Sequence, residues 1–149
     1  MKRIAVFPGS FDPFTKGHEN VISRSLGLFD KIIIAIGAHS QKSSHFSLET
    51  RLTMIRDLYK ENSQIEVDHY DGLTIDYVRF IGANYLLRGL RTSADFEYER
   101  AIAQVNRKMN SEVETVFLLT TPELTPVASS IVREILRHGG DVSQFLPDG

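Results

Sequence analysis

Five short segments dominated by apolar residues recur along the chain, and between them lie stretches whose apolar side chains fall at helical spacing. Residues 4–7 (Ile4-Ala5-Val6-Phe7) and 31–37 (Lys31-Ile32-Ile33-Ile34-Ala35-Ile36-Gly37) are the near-continuous apolar runs expected of parallel strands buried on both faces. Residues 65–70 alternate apolar with polar, as a strand with one wetter face does, and residues 85–87 and 116–120 supply two further strands. Helical spacing is read around Val21, Ile22, Leu26 and Phe29, from Leu73 to Ile81, through the charged segment 93–109, and from Ser129 to His138, which Gly139-Gly140 terminates. Ser47 is placed to cap a helix running to about Lys60, with Glu49 in its first turn and Leu52, Ile55, Leu58 and Tyr59 as its stripe, and this helix reads as ordinary and structural. Strands alternating with helices predict an α/β fold: a doubly wound, five-stranded parallel sheet with right-handed crossovers and helices on both faces.

In such a sheet ligands collect at the carboxyl ends of the strands, where the strand order reverses. The loops after Phe7, Gly37, Tyr70, Leu87 and Thr120 are therefore the candidate surface. The first is the most informative: Gly9-Ser10-Phe11-Asp12-Pro13-Phe14-Thr15-Lys16-Gly17-His18 joins a strand to a helix, where main-chain N–H groups and the helix dipole favour an anion. It lacks the order of a Walker loop or of a dinucleotide-binding loop. Gly9 suits close backbone approach, Asp12-Pro13 forms a turn, and His18 falls in the first helical turn, its imidazole expected among unpaired N–H groups.

The 149 residues suit one domain spanning 1–149, and a formal net charge of -2 gives no global basic field for nucleic acid. The absence of cysteine excludes disulfides, zinc-thiolate sites and thiol nucleophiles. No apolar run has spanning length and the amino terminus leads straight into a strand, so a cytoplasmic enzyme with no membrane association is expected.

Pro8-Gly9-Ser10-Phe11-Asp12-Pro13, Thr15-Lys16-Gly17-His18, Leu87-Arg88-Gly89-Leu90-Arg91, Asp95-Phe96-Glu97-Tyr98-Glu99 and Ser129-Ser130-Ile131-Val132-Arg133 follow one another in an order that resembles the His-x-Gly-His nucleotidyltransferases, specifically the bacterial phosphopantetheine adenylyltransferases. The resemblance runs nearly end to end. It implies a Rossmann-like domain that transfers adenylate from ATP to 4′-phosphopantetheine, giving dephospho-coenzyme A and pyrophosphate, with Mg²⁺ held mainly by the ATP phosphates and no metal site of the protein's own. It also implies coenzyme A as a product-like feedback ligand and a homohexamer built from two trimers. The alternatives are another small-molecule nucleotidyltransferase of the same superfamily or a nucleotide-sensing module without catalysis.

On this resemblance the catalytic residues are His18, Lys42 and Arg91. Thr15 stands where the wider superfamily has its first histidine, a departure that the resembled family shares. His18 is read as a donor to growing phosphoryl charge, with general-base action the weaker role. ATP is expected at Ser10, Phe11 (through its backbone), His18, Gly89, Leu90, Arg91, Glu99, Leu124, Thr125, Pro126, Val127, Ala128, Ser129 and Ser130. Ala128 lacks the hydroxyl that the family pattern usually has there. The acceptor is expected at Ser10, Lys42, Leu73, Thr74 and Arg88, Thr74 standing where relatives are often apolar. Each assignment has a plainer alternative: Ser10 as a turn residue, Lys42 as a solvated lysine, Thr74 as a helix start, Ser129 and Ser130 as a cap, and Arg88 and Arg91 as partners of Glu99 or Asp95. His39, His45, His69 and His138 show no metal-ligand spacing and read as surface or structural groups.

Overall fold

The computed structural model describes residues 2–38 and 43–148. Five strands, β1 (Ile4–Gly9), β2 (Lys31–Gly37), β3 (Ile65–Tyr70), β4 (Tyr85–Leu90) and β5 (Glu114–Leu119), form one parallel sheet in the order β3-β2-β1-β4-β5. Five helices join or follow them: α1 (Lys16–Ser25), α2 (Leu48–Tyr59), α3 (Thr74–Ile81), α4 (Ser93–Met109) and α5 (Ser129–Arg137). The α/β sheet anticipated from the strand and helix alternation is the one observed. β1 and β4 run further than expected, because Gly9 and Arg88-Gly89-Leu90 continue their strands rather than opening loops.

Period-2 alternation in the buried strands supplies two cores, one on each face. Ala5, Phe7, Ile32, Ile34 and Ile36 pack with Val21 and Ile22 of α1 and with Leu52 and Ile55 of α2. Val6, Ile33 and Ala35 face the other way, onto Ile75, Tyr77 and Val78 of α3. Gly89 belongs to this packing: a Cβ there would stand 2.9 Å from the Val21 side chain, so its absence lets α1 lie close against β4.

The strand order reverses between β1 and β4. β1 pairs with β2 along its full length, Ile4 to Gly9, but with β4 only at Ala5 and Val6. Beyond that point the two strands part, which makes room for Pro8, a residue with no N–H to give a ladder, in the middle of the sheet. The parting opens the crevice that a doubly wound sheet uses for ligands. No helix among the described residues is long and apolar enough to cross a membrane.

Candidate active site

Two clefts meet at the parted ends of β1 and β4. One, of about 400 Å³, runs between α3 and α4 and is lined mainly by hydrocarbon, including Leu73, Ile75, Ile102 and Met109. The other, of about 330 Å³, lies between the N-terminal ends of α1 and α5 and is lined by Thr15, His18, Arg91, Ser129, Ser130 and Arg133. Pro8, Gly9, Ser10 and Arg88 border both clefts.

Arg88 is fixed across the junction. Its Nε and Nη2 donate to the two carboxylate oxygens of Glu99 at 2.6 and 2.9 Å, while Nη1 donates to the Pro8 carbonyl at 2.6 Å, bridging the gap between the strands. A bidentate pair of this kind holds the guanidinium plane as well as its charge. Arg91 is paired with Asp95, whose carboxylate also accepts from the Arg91 main-chain N–H at 3.0 Å. The ion pairs named from the sequence as the plainer alternatives are thus both present. They coexist with exposure to the clefts, since each arginine retains N–H groups beyond those it spends.

His18 stands differently from expectation. It occupies the third position of α1, and its Nδ1 accepts the Thr15 N–H at 2.9 Å while Thr15 Oγ1 caps the His18 N–H, a reciprocal capping box. The ring therefore satisfies an unpaired donor rather than merely standing near several. With Nδ1 accepting, the proton of the neutral ring resides on Nε2. The phenyl rings of Phe11, Phe14 and Phe7 surround the imidazole, with centroids 5.0, 5.2 and 6.2 Å away. This burial, reinforced by the positive charge of Arg88 and Arg91, pushes its pKa down to about 3. At neutral pH the residue is an uncharged N–H donor with no spare lone pair, which leaves general-base action without a basis.

The β1–α1 loop is braced on two sides. Ser129 Oγ donates to the Pro13 carbonyl and Arg133 Nη1 to the Asp12 carbonyl, both at 2.8 Å. From α2, Arg51 Nη1 donates to the Ser10 carbonyl at 2.8 Å. The Asp12–Pro13 peptide is cis and Phe11 adopts φ 46°, a left-handed conformation unusual for a bulky side chain. Its ring folds back over Gly9, where a Cβ would meet the ring at 2.9 Å. Gly9 is thus required by the Phe11 ring, where the sequence alone suggested room for a ligand. The Ser129 hydroxyl is spent on the loop and the N-cap of α5 is Ala128, which offers no side-chain cap. The first N–H groups of α5 consequently open toward the polar cleft.

The expected site residues distribute as follows. Ser10, Phe11, His18, Gly89, Arg91, Val127, Ala128, Ser129 and Ser130 line the polar cleft. Ser10, Leu73, Thr74 and Arg88 line the apolar one, with the Thr74 hydroxyl bonded to Tyr70 Oη at 2.7 Å. Glu99, assigned to ATP from the sequence, lines the apolar cleft, with its carboxylate turned onto Arg88. Leu90, Leu124, Thr125 and Pro126 border neither cleft, the last three belonging to a short 3-10 turn and its exit. Lys42 and His39 lie outside the described residues. The sequence reading gave no role to Arg51, which holds the Ser10 carbonyl, to Arg133 of the polar cleft, or to Tyr98, Ile102 and Asn106 on the α4 wall of the apolar cleft. Arg51 carried a legible signal: it shares a helical face with Leu48 and Ile55, an uncommon position for a cation.

A parallel sheet with phosphate-sized polar space at its switch point suits a nucleotide, and residues 6–135 match the cytidylyltransferase-like family model, which makes this a nucleotidyltransferase architecture. Phosphopantetheine adenylyltransferases from Bacteroides thetaiotaomicron and Flavobacterium psychrophilum are 52% and 51% identical to the chain, which covers 97% and 96% of their lengths, with 99% and 98% of this chain aligned. The one from Cytophaga hutchinsonii is 48% identical over 99% of this chain and 98% of its own. Among solved structures, a bifunctional NMN adenylyltransferase/ADP ribose pyrophosphatase from Francisella tularensis shares the fold with a TM-score of 0.72 at 19% identity, over 98% of this chain and 45% of that one. The chain belongs to the phosphopantetheine adenylyltransferase family.

Proposed function

We propose that the chain transfers the adenylyl group of ATP to the phosphate of 4′-phosphopantetheine, releasing pyrophosphate and forming dephospho-coenzyme A. The observation that carries this reading is the shared wall of Pro8, Gly9, Ser10 and Arg88, which lets a ligand in the polar cleft touch one in the apolar cleft. ATP phosphates suit the first, between two helix N-termini, and the pantetheine arm suits the second. An oxygen of the acceptor phosphate would attack the α-phosphorus in line, the bond from that phosphorus to the pyrophosphate oxygen breaking as the new one forms. No group of the protein need become covalently attached.

His18 Nε2–H and the Arg91 guanidinium line the cleft in which charge grows on the transferring group, and Arg88 stands where the acceptor phosphate enters. Lys42 is proposed to share this charge on the strength of the family resemblance. Mg²⁺ would supply further charge neutralisation on the ATP phosphates. Among the described residues no group of three or more His, Cys, Asp or Glu side chains is placed to cage a metal ion.

A homohexamer is supported by the apolar side chains that α4 and β5 leave exposed, Tyr98, Val105, Met109 and Leu119. Feedback binding of coenzyme A would use the apolar cleft, and a cytoplasmic location goes with the supply of ATP. Incubation with ATP, Mg²⁺ and 4′-phosphopantetheine is expected to release pyrophosphate in step with dephospho-coenzyme A. No release with this acceptor, or faster release with nicotinate mononucleotide, would overturn the reading, and light scattering would check the hexamer.

A further inference from the structure

Arg51 is among the largest fully buried side chains of the protein, at 1% exposure. A buried guanidinium ordinarily sits against a carboxylate, because an unpaired charge in the interior is costly. Among the described residues none lies within ion-pair distance. Its hydrogen bonds go instead to carbonyls: Nε to Phe46 at 3.1 Å and Ser47 at 3.4 Å, and Nη1 to Ser10 at 2.8 Å, while the buried Nη2 has no hydrogen-bond partner among the described residues. Asp12, 3% exposed, does the converse, accepting the main-chain N–H groups of His45 and Phe46 at 2.7 and 2.8 Å. The approach to α2 and the β1–α1 loop are thus laced together through main-chain atoms.

The bond to Ser10 has a directional consequence. In a trans peptide the C=O and N–H point opposite ways. Drawing the Ser10 carbonyl inward to Arg51 turns the Phe11 N–H outward, and Ser10 and Phe11 both line the polar cleft. Among the described residues this N–H has no acceptor. The same peptide leads into Phe11 at φ 46°, a conformation that persists only when its surroundings enforce it.

The geometry points to Arg51 as a positioning residue that locks the Ser10–Phe11 peptide so that the Phe11 N–H is presented to a phosphate of the nucleotide. This rests on the polar cleft being the nucleotide site, but not on the identity of the acceptor. It also assigns Asp12 the task of holding the approach to α2, whose Phe46 and Ser47 carbonyls anchor Arg51.

Titration of the ¹⁵N-labelled wild-type protein with pyrophosphate alone is the first test. The Phe11 amide resonance is expected to shift saturably, and a Phe11 amide indifferent to saturating pyrophosphate would overturn the assignment. The second test compares Arg51→Met and Arg51→Lys with wild type in binding ATP and adenosine. About a tenfold loss for ATP is expected in Arg51→Met, less in Arg51→Lys, which keeps a cationic donor, with adenosine unchanged within about twofold. Equal losses for both ligands, or none for either, would reject a phosphate-directed role. Should Arg51→Met not fold, Arg51→Lys carries the comparison and the amide titration stands independently. Neither readout requires adenylyl transfer, so failure of the proposed reaction would be seen separately.

Discussion

The two clefts are of similar size, yet their walls are held in opposite ways. The polar cleft is bounded by loops and helix starts whose positions are fixed by hydrogen bonds to main-chain atoms: Arg51 on Ser10, Ser129 on Pro13, Arg133 on Asp12, and Thr15 with His18. The outer wall of the apolar cleft is α4, where Tyr98 and Met109 remain 69% and 45% exposed. Donors that meet developing charge must already be aimed when the reaction begins, because reorientation during the reaction would consume the stabilisation they provide. Hydrocarbon surface has no such directional demand, and a flexible arm can be enclosed by side chains that settle after it arrives. The contrast divides the substitutions into those that should act on turnover and those that should act on acceptor affinity.

His18→Ala tests the polar side and should have the largest effect. Removing a fixed N–H donor is expected to lower kcat by about a hundredfold to a thousandfold while the ATP dissociation constant changes by less than about threefold. Rapid-quench single-turnover kinetics with equilibrium ATP binding would separate the two. A parallel loss of ATP affinity would show that His18 serves ground-state binding, and the contrast between the clefts would weaken.

Glu99→Gln tests the junction. Gln keeps the shape of the side chain but loses the charge and one acceptor oxygen, so Arg88 loses half of its bidentate anchor. KM for 4′-phosphopantetheine is expected to rise about tenfold, with a smaller change for ATP. Steady-state kinetics varying each substrate in turn would check it, and a larger effect on ATP would return Glu99 to the polar side, where the sequence reading had it.

Ile102→Ala tests the apolar wall and should be milder. Loss of hydrocarbon that lines the cleft is expected to raise acceptor KM about threefold to tenfold and leave kcat unchanged. A drop in kcat with unchanged KM would mean that α4 orders the reacting groups after all.

This division also explains what was legible in the sequence. Buried strands such as residues 31–37 announce themselves through continuous β-branched character, and caps such as Ser47 through local chemistry, so the sheet and its helices followed from short-range rules. The polar cleft was visible because its donors lie in compact loops at strand ends. The sequence offered Glu99 either to ATP or to an arginine, and it could not choose because the cleft a helical side chain faces depends on how α4 docks against β4, a long-range matter that periodicity does not encode. Arg51 was passed over for a related reason. Its helix looked complete without it, and only the folded chain brings the Ser10 carbonyl, 41 residues away in sequence, to its guanidinium.

The remaining prediction concerns stability, and it isolates the cap from the chemistry. In the folded protein the His18 pKa is near 3, against about 6.5 when the chain is unfolded and the ring is solvated. Below pH 6.5 the unfolded state therefore binds a proton that the folded state refuses, so His18 draws stability down as pH falls from about 6.5 toward 3 and contributes no slope above that window. His18→Gln preserves the capping box, since glutamine at this helical position can accept the Thr15 N–H, but it does not titrate. The expected result is a shallower decline in melting temperature between pH 6.5 and 4 for His18→Gln than for wild type, with the two curves parallel at higher pH. Identical slopes would mean that His18 becomes protonated within the folded protein, and a cationic imidazole would then have to be admitted to the polar cleft.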